Sequence, residues 1–171
     1  MPNLATAKST NAAFTTPGYR PTALFVGGTS GIGEGTALAF ARATKGTFYA
    51  CFWRSRLLTA VALCVGNAHI LICGRNKASA ERIIATFPQT PTSQYEFVEC
   101  DATLMKNVVK ATADIKSRVG GAINYLVLTQ GIMTFNGFDA TEEGIDRKLS
   151  LHFYSRWKAS TSRAFLVWFP V

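Results

Sequence analysis

The chain has 171 residues, and its 18 Lys and Arg against 10 Asp and Glu give a formal net charge of +8. This length allows one domain with a single buried core. A hydrophobic fraction of 48%, with 14 Gly and only 6 Pro, excludes a disordered, collagen-like or low-complexity chain. The basic excess is of the kind found in proteins that bind nucleic acid or membranes, so its distribution along the chain decides what it means.

The basic excess lies in two stretches of the chain. Residues 46–65 hold Arg54 and Arg56 and no acid, and the part after Asp146 holds five basic residues and no acid. The remaining residues carry 11 basic and 10 acidic side chains, so they are almost neutral. A nucleic-acid partner therefore loses its main support, and we expect none.

Targeting and metal-binding signals are missing from the sequence. Residues 1–19 are polar and lack the apolar stretch of a signal peptide, and the longest apolar run, 57–65, is too short to cross a bilayer. No metal site is expected, because the Cys and His residues are not spaced as zinc ligands are. These residues are Cys51, Cys64, Cys73, Cys100, His69 and His152. We expect a reduced, soluble, cytoplasmic protein without a membrane partner.

Short apolar runs alternate with helical stretches along most of the chain. The pattern predicts strands at 22–26, 69–73, 95–100 and 123–128, and helices at 34–45, 78–87 and 104–119. Strands that alternate with helices of about a dozen residues are typical of βαβ units. The sequence therefore predicts an α/β fold whose parallel sheet is covered on both faces.

The first predicted strand ends in the glycine-rich turn Gly27-Gly28-Thr29-Ser30-Gly31-Ile32-Gly33. Glycines in such a turn let the chain bend sharply, approach a pyrophosphate and pack a helix against a strand. The following helix would present free backbone N–H groups to the phosphates, and Thr29 and Ser30 would add hydroxyl donors. A tight turn with a purely structural role is the alternative.

These residues resemble the short-chain dehydrogenase/reductase family of NAD(P)-dependent enzymes. The segment from Val26 to Gly33 matches the family's TGxxxGIG turn, with Val26 in place of the Thr, and the resemblance covers about residues 20–158. It implies a Rossmann-like, doubly wound parallel sheet of about four strands, incomplete and in three αβα layers. The implied function is hydride transfer between NADP(H) and a carbonyl or alcohol substrate; the alternative is a non-catalytic dinucleotide-binding fragment or regulator.

The resemblance also assigns residues to the cofactor. Asp101 matches the acid that holds the adenine amino group, and Leu128-Thr129-Gln130-Gly131 stands where the family has NNAG. It keeps the Gly but not the Asn pair, although Thr129 can still form a hydrogen bond between neighbouring strands. The expected cofactor-binding residues are Gly27, Thr29, Ser30, Gly31, Ile32, Gly33, Arg75, Asn76, Asp101, Gln130 and Gly131.

Gly74-Arg75-Asn76 indicates which cofactor is bound. An acid at the end of the second predicted strand would bind a ribose 2′-OH and repel a 2′-phosphate. Gly74 takes that place here and Arg75 follows it, and a guanidinium suits a phosphate. We therefore expect NADP(H) rather than NAD(H), the alternative being that Arg75 is a solvated loop residue.

The segment from Tyr154 to Lys158 spells YxxxK, the family's catalytic pair, in which Tyr is the general acid/base and Lys lowers its pKa. It stands much nearer to Gly131 than in the family, and residues 142–149 resemble the helix that directly follows NNAG there. We therefore interpret Tyr154 and Lys158 as residues on a helix surface, with the catalytic interpretation as the alternative. His152 takes the position of the family's catalytic Asn.

The domain boundaries follow from these matches. We expect a flexible N-terminus at 1–20, a partial NAD(P)-binding domain at 21–158 that is interrupted by an insertion at 46–65, and an atypical tail at 159–171. The insertion is interpreted as a translated, unspliced intron; the alternative is an amphipathic segment that contacts a membrane or partner through Phe48, Phe52 and Trp53. Counterparts of the catalytic Ser strand and the Tyr/Lys helix are missing, so we expect weak activity or none.

Overall fold

The computed structural model describes residues 3–6, 9, 20–43, 45–54, 57–66, 68–120 and 123–162, with the backbone alone at 43, 45–54 and 57–66. Most of the predicted N-terminal segment 1–20, and residues 163–171 of the predicted tail, lie outside this part. In chain order the elements are β1 (Thr22–Val26), α1 (Gly31–Ala43), β2 (Lys45–Arg54), β3 (Leu57–Gly66), β4 (His69–Gly74), α2 (Lys77–Ala85), β5 (Gln94–Glu99), α3 (Met105–Val119), β6 (Tyr125–Leu128), α4 (Arg147–Leu149), a π-helical turn (Ser150–Tyr154) and α5 (Ser155–Thr161).

Four strands form a parallel sheet in the order β5-β4-β1-β6. β1 is in the centre, where every one of its residues is buried, and Leu24 is in register with Leu71 of β4 and Leu126 of β6. A strand that is covered on both faces reads as a continuous apolar run, which is how TALFV appears in the sequence. The predicted α/β fold with a parallel sheet of four strands is confirmed.

Helices cover both faces of this sheet and bury two separate apolar cores. Successive residues of a strand point to opposite faces, so Phe25 and Ile72 pack towards α1 and α2, whereas Leu24 and Leu71 pack towards α3 and α5. Burial of a side chain of this size stabilises a fold by about 1.5–3 kcal/mol. The three predicted αβα layers are therefore present.

β2 and β3 pair as an antiparallel hairpin outside the parallel sheet. Its pairing runs from Lys45 with Gly66 to Arg54 with Leu57. The predicted insertion at 46–65 matches this hairpin to within one residue at each end, although the sequence did not predict strands there. Its origin as an intron or as a genuine insertion stays a prediction, and the side chains of Phe48, Phe52 and Trp53 lie outside the described part.

The last helical segment begins later than the resemblance at 142–149 implied. Gly144 adopts a φ of +75° in a turn, and its N–H donates to the carbonyl oxygen of Thr141 at 2.9 Å. Asp146 then caps the helix, with Oδ1 accepting from the N–H groups of Lys148 (3.0 Å) and Leu149 (3.2 Å). Within the described residues, the helices are all too short or too polar to cross a membrane.

Glu143 joins the turn before this segment to the start of α3. Its Oε1 accepts a hydrogen bond from the N–H of Lys106 at 3.0 Å, and its Oε2 accepts one from the N–H of Met105 at 2.6 Å. Both N–H groups belong to the first turn of α3, so neither has a partner inside the helix. These hydrogen bonds, from Lys106 and then Met105, lower the pKa of Glu143. A carboxylate at a helix N-terminus is also stabilised by the helix dipole.

We predict that Glu143→Gln lowers the melting temperature by a few degrees at pH 7. A carboxyl group whose folded pKa is depressed stabilises the fold above its unfolded pKa, about 4.3 for Glu, and loses this effect as pH falls through the folded pKa. The melting temperatures of the variant and the parent should therefore converge below about pH 4. Calorimetry at pH 3 to 7 measures this.

Glu142→Gln is the matched control, because Glu142 is exposed and contacts Lys106 only through a surface ion pair of 3.1 Å. Such pairs contribute little to stability. Equal melting temperatures for Glu143→Gln and Glu142→Gln at pH 7, or a difference that persists unchanged to pH 3, would contradict this assignment.

Candidate functional site

The turn after β1 brings three backbone segments into contact. Gly27 has a φ of +85°, and its N–H donates to the carbonyl oxygen of Cys73 at 2.9 Å. A Cβ at Gly27 would lie 2.7 Å from the backbone nitrogen of Gln130, and one at Gly33 would overlap the carbonyl of Gly27 and the hydroxyl of Thr129. Both positions therefore require glycine, and α1 starts directly against the ends of β1 and β6.

Thr129 connects the end of β6 to the end of β1 through two hydrogen bonds. Its backbone N–H and its Oγ1 both donate to the carbonyl oxygen of Val26, at 2.9 and 3.1 Å. This is the hydrogen bond between neighbouring strands that the sequence predicted. Strand order reverses at β1, since the chain runs outward to β4 and β5 and then returns to β6 on the other side. Ligands of open α/β sheets bind in the crevice at such a switch point.

A cleft of about 230 Å³ opens at this edge of the sheet. Its lining residues are Val26, Gly27, Thr29, Ser30, Ile32, Gly33, Cys73, Gly74, Arg75, Cys100, Asp101, Ala102, Thr129, Gln130, Gly131, Ile132 and Leu151. Nine of the eleven residues expected to bind a cofactor are among them. The other two are Gly31, which is the first residue of α1, and Asn76, whose Oδ1 caps α2 by accepting from the N–H of Ser79 at 2.9 Å.

The cleft combines donors for an anion with one carboxylate. The N-terminus of α1 presents unpaired backbone N–H groups beside Thr29 and Ser30, and a helix N-terminus carries a partial positive charge. Asp101 holds its position through Oδ1, which accepts from the N–H (3.0 Å) and the hydroxyl (2.8 Å) of Thr103. This leaves Oδ2 of Asp101 for a ligand N–H, so the site suits a molecule with phosphates and an amino group.

Gln130 presents its backbone to the site, because its side chain turns into the fold. Gln130 is 6% exposed, its Nε2 donates to Ser155 Oγ at 3.3 Å, and its Oε1 has no hydrogen-bond partner among the described residues. Its carbonyl oxygen accepts from Nη2 of Arg156 at 2.8 Å. These contacts connect the end of β6 to α5.

His152 lies on the π-helical turn, directly beside the cleft. Its Nε2 is 2.8 Å from the carbonyl oxygen of Ile132, and its ring packs so closely on Gly131 that a Cβ there would meet Cε1 at 2.6 Å. The backbone N–H of Ile132 also points to Nε2, at 3.2 Å, so Ile132 offers this ring nitrogen both a donor and an acceptor. The structure thus brings His152 next to two cleft residues.

Tyr154 and Lys158 lie away from the cleft lining. The ring of Tyr154 packs edge-on against Phe153, with 5.2 Å between the ring centroids. Lys158 lines a groove between α3 and α5 together with Lys116 and Thr112. Both placements agree with the interpretation as helix-surface residues, which remains a prediction. Among the described residues, no group of three or more His, Cys, Asp or Glu could hold a metal ion.

The sequence analysis did not single out Cys73 and Cys100, which lie at the floor of the cleft. Cys73 is the last residue of one predicted strand and Cys100 the last of the next. Because the carboxyl ends of parallel strands meet at one edge of a sheet, their positions indicated that both thiols lie at this edge, and the order and register of the strands make them neighbours.

Comparison with known proteins finds a family model and relatives that are described as oxidoreductases. A family model described as short chain dehydrogenase matches residues 57–162, more than half of the chain. An oxidoreductase of Emericella nidulans is 33% identical over 161 residues, which are 92% of this chain and 41% of that protein. The oxidoreductase andH of Emericella variicolor is 31% identical over 163 residues, 95% of this chain and 42% of that protein. The chain thus spans about two fifths of these relatives.

Solved structures share the fold. An alcohol dehydrogenase from Thermococcus sibiricus, complexed with 5-hydroxy-NADP, superposes with a TM-score of 0.61 at 18% identity and covers 86% of this chain and 52% of that one. A short-chain dehydrogenase from Sphingobium yanoikuyae, in complex with NADPH, has a TM-score of 0.55 at 22% identity and covers 82% and 45%.

We predict opposite effects of alanine at two glycines of α1. Gly33→Ala should lower the free energy of unfolding by about 1–3 kcal/mol, because the new methyl group overlaps Gly27 and Thr129. Gly35→Ala is the matched control: nothing lies within 4 Å of its Cβ, and Ala should raise the free energy of unfolding by about 0.5–1 kcal/mol. Urea denaturation measures both, and equal stability of the two variants would refute the proposed contact.

Proposed function

The chain belongs to the short-chain dehydrogenase family, and from this premise we propose that its cleft binds NADP(H) as part of an oxidoreductase that acts on a carbonyl or alcohol substrate. One observation carries the proposal: a single cleft at the switch point of the sheet is lined by nine of the residues that the family resemblance assigns to the cofactor. When bound, the nicotinamide supplies or accepts the hydride. A cytoplasmic location is proposed with this function.

The proposed roles follow from the contacts in the cleft. The pyrophosphate is held at the N-terminus of α1, where Gly27 and Gly33 leave room for close approach and the hydroxyls of Thr29 and Ser30 donate. Asp101, fixed by Thr103, accepts from the adenine amino group through its second oxygen. These residues bind and orient the cofactor; they do not move the substrate proton.

A preference for NADP(H) is supported by the end of β4. A Cβ at Gly74 would lie 2.7 Å from Cγ2 of Thr29, so an acid that would repel a 2′-phosphate could stand here only if the Thr29 side chain moved. The next residue, Arg75, is exposed on the cleft wall and has no ion-pair partner among the described residues. Its guanidinium is free to pair with a phosphate.

A non-catalytic dinucleotide-binding protein is the second candidate function. It is favoured by the position of the YxxxK segment, since Tyr154 contacts Phe153 and Lys158 lies in the groove between α3 and α5. A missing proton donor would slow carbonyl reduction by about 10²–10⁴-fold. If this chain is catalytic, His152 beside Gly131 and Ile132 is the proposed contributor from the described residues.

We predict that Arg75→Gln raises the Kd for NADPH about tenfold, equivalent to about 1.4 kcal/mol, and leaves the Kd for NADH unchanged. Titration of the purified chain with each cofactor, followed by cofactor fluorescence, measures both constants. Lys77→Gln is the matched control, because it removes an exposed positive charge two residues away that pairs with Glu81 instead. Equal effects of Arg75→Gln on NADPH and NADH would overturn the proposed preference, and no binding of either nucleotide by the parent chain would overturn the function.

We predict that Tyr154→Phe does not change the rate at which the chain oxidises NADPH in the presence of generic aldehydes and ketones. The reason is that the Tyr154 hydroxyl lies outside the cleft lining. Absorbance at the NADPH band measures the rate. Loss of turnover in this variant would establish Tyr154 as the general acid, whereas binding of NADPH without turnover in the parent chain would favour the second candidate.

A further inference from the structure

The floor of the cleft contains two cysteine thiols on neighbouring strands. Cys73 is the fifth residue of β4, and Cys100 directly follows β5, where its N–H donates to the carbonyl oxygen of Gly74 at 2.9 Å. The parallel register pairs Cys73 with Val98, and side chains two residues apart on a strand share a face. Cys73, Val98 and Cys100 accordingly lie in the same core, and both cysteines line the same cleft.

These thiols are buried and yet reachable through the cleft. Cys73 is 2% and Cys100 6% exposed, and both line the cleft. A hydrogen bond from Cys73 lowers the pKa of Cys100, against the opposing effects of burial and of Asp101. The same bond, together with burial, raises the pKa of Cys73. Cys100 is therefore the thiol that ionises first, and thiolates are the reactive form.

We propose that Cys73 and Cys100 are a peroxide-responsive thiol pair that closes to a disulfide across the floor of the cleft. The Cys100 thiolate attacks one oxygen of hydrogen peroxide, the O–O bond breaks, and a sulfenic acid forms while hydroxide takes up a proton to give water. The Cys73 sulfur then attacks the sulfenic sulfur, the S–O bond breaks, and the hydroxyl leaves with the Cys73 proton as water. Two thiols lose two electrons, and the peroxide becomes two water molecules.

Closing this bond displaces the strand ends that line the cleft. Cys100 lies two residues beyond Val98, the residue opposite Cys73, so a strand spacing of about 4.7–4.9 Å and a rise of about 6.6 Å along the strand separate the two Cα atoms by about 8 Å, whereas the Cα atoms of a disulfide are usually about 4.4–6.8 Å apart. The bridge therefore draws the ends of β4 and β5 together, and these ends carry Arg75 and Asp101. If the cleft binds NADPH as proposed above, the disulfide weakens this binding, and bound NADPH in turn shields the thiols from peroxide.

Peptide mass mapping of the full chain tests the disulfide itself. The reduced protein is treated with hydrogen peroxide, alkylated and digested with trypsin. We expect peptide 57–75 joined to peptide 83–106, with fragment ions that place the link at Cys73 and not at Cys64. Cys100→Ser and Cys73→Ser should abolish the link, and Cys64→Ser should leave it in place. Alkylation of both thiols after peroxide, a link through Cys64 or Cys51, or a link between two chains would overturn the proposal.

NADPH binding gives the second readout. We expect NADPH in excess to slow formation of the link, and the oxidised chain to bind NADPH with a Kd about tenfold higher, restored by dithiothreitol. An unchanged Kd after oxidation would overturn the effect on the cleft. A reduced chain that binds no NADPH would refute the proposed function, while the peptide masses would still decide the thiol pair.

Discussion

Three segments of backbone meet in close contact where β1 ends. Gly27 and Gly33 approach each other across the turn, and Thr129 closes on both while donating two hydrogen bonds to Val26. This contact sets the start of α1 against the sheet and brings β6 beside β1. Without it, the helix N-terminus would not face the crevice, and the donors for an anion would be separated from Asp101. The cleft is a consequence of this backbone packing.

The two ends of the cleft differ in how many hydrogen bonds their side chains already form within the protein. At the β4 and β5 end, Arg75 is unpaired among the described residues and Asp101 keeps one oxygen available. At the β6 end, Gln130 is bonded to Ser155 and His152 to the backbone of Ile132. Side chains at the first end can therefore contact a ligand without breaking a bond of the fold, whereas Gln130 and His152 at the second end would first have to give up theirs.

The sequence predicted the parts of this structure that local pattern controls. The apolar run of β1, the glycine turn and the bond of Thr129 depend on residues whose roles follow from their type and spacing. The later start of α4 was missed because Glu143 is committed to Met105 and Lys106, contacts 37 to 38 residues away that no local pattern contains. The Cys73–Cys100 contact required the register of two parallel strands, which the sequence does not state. The hairpin was missed because its aromatic and apolar residues lack a strand period.

The position of the hairpin explains how a segment that the sequence analysis interprets as an insertion can leave the parallel sheet undisturbed. Lys45 and Gly66 are paired, and paired Cα atoms in an antiparallel ladder are only about 4.5–5.5 Å apart. The chain therefore leaves after α1 and returns before β4 at nearly the same point, so the connection between these two elements is geometrically as short as if the hairpin were absent. The free energy of closing a longer loop also grows only slowly with length. The register of β1 with β4, and with it the cleft, is thus compatible with either origin of this segment.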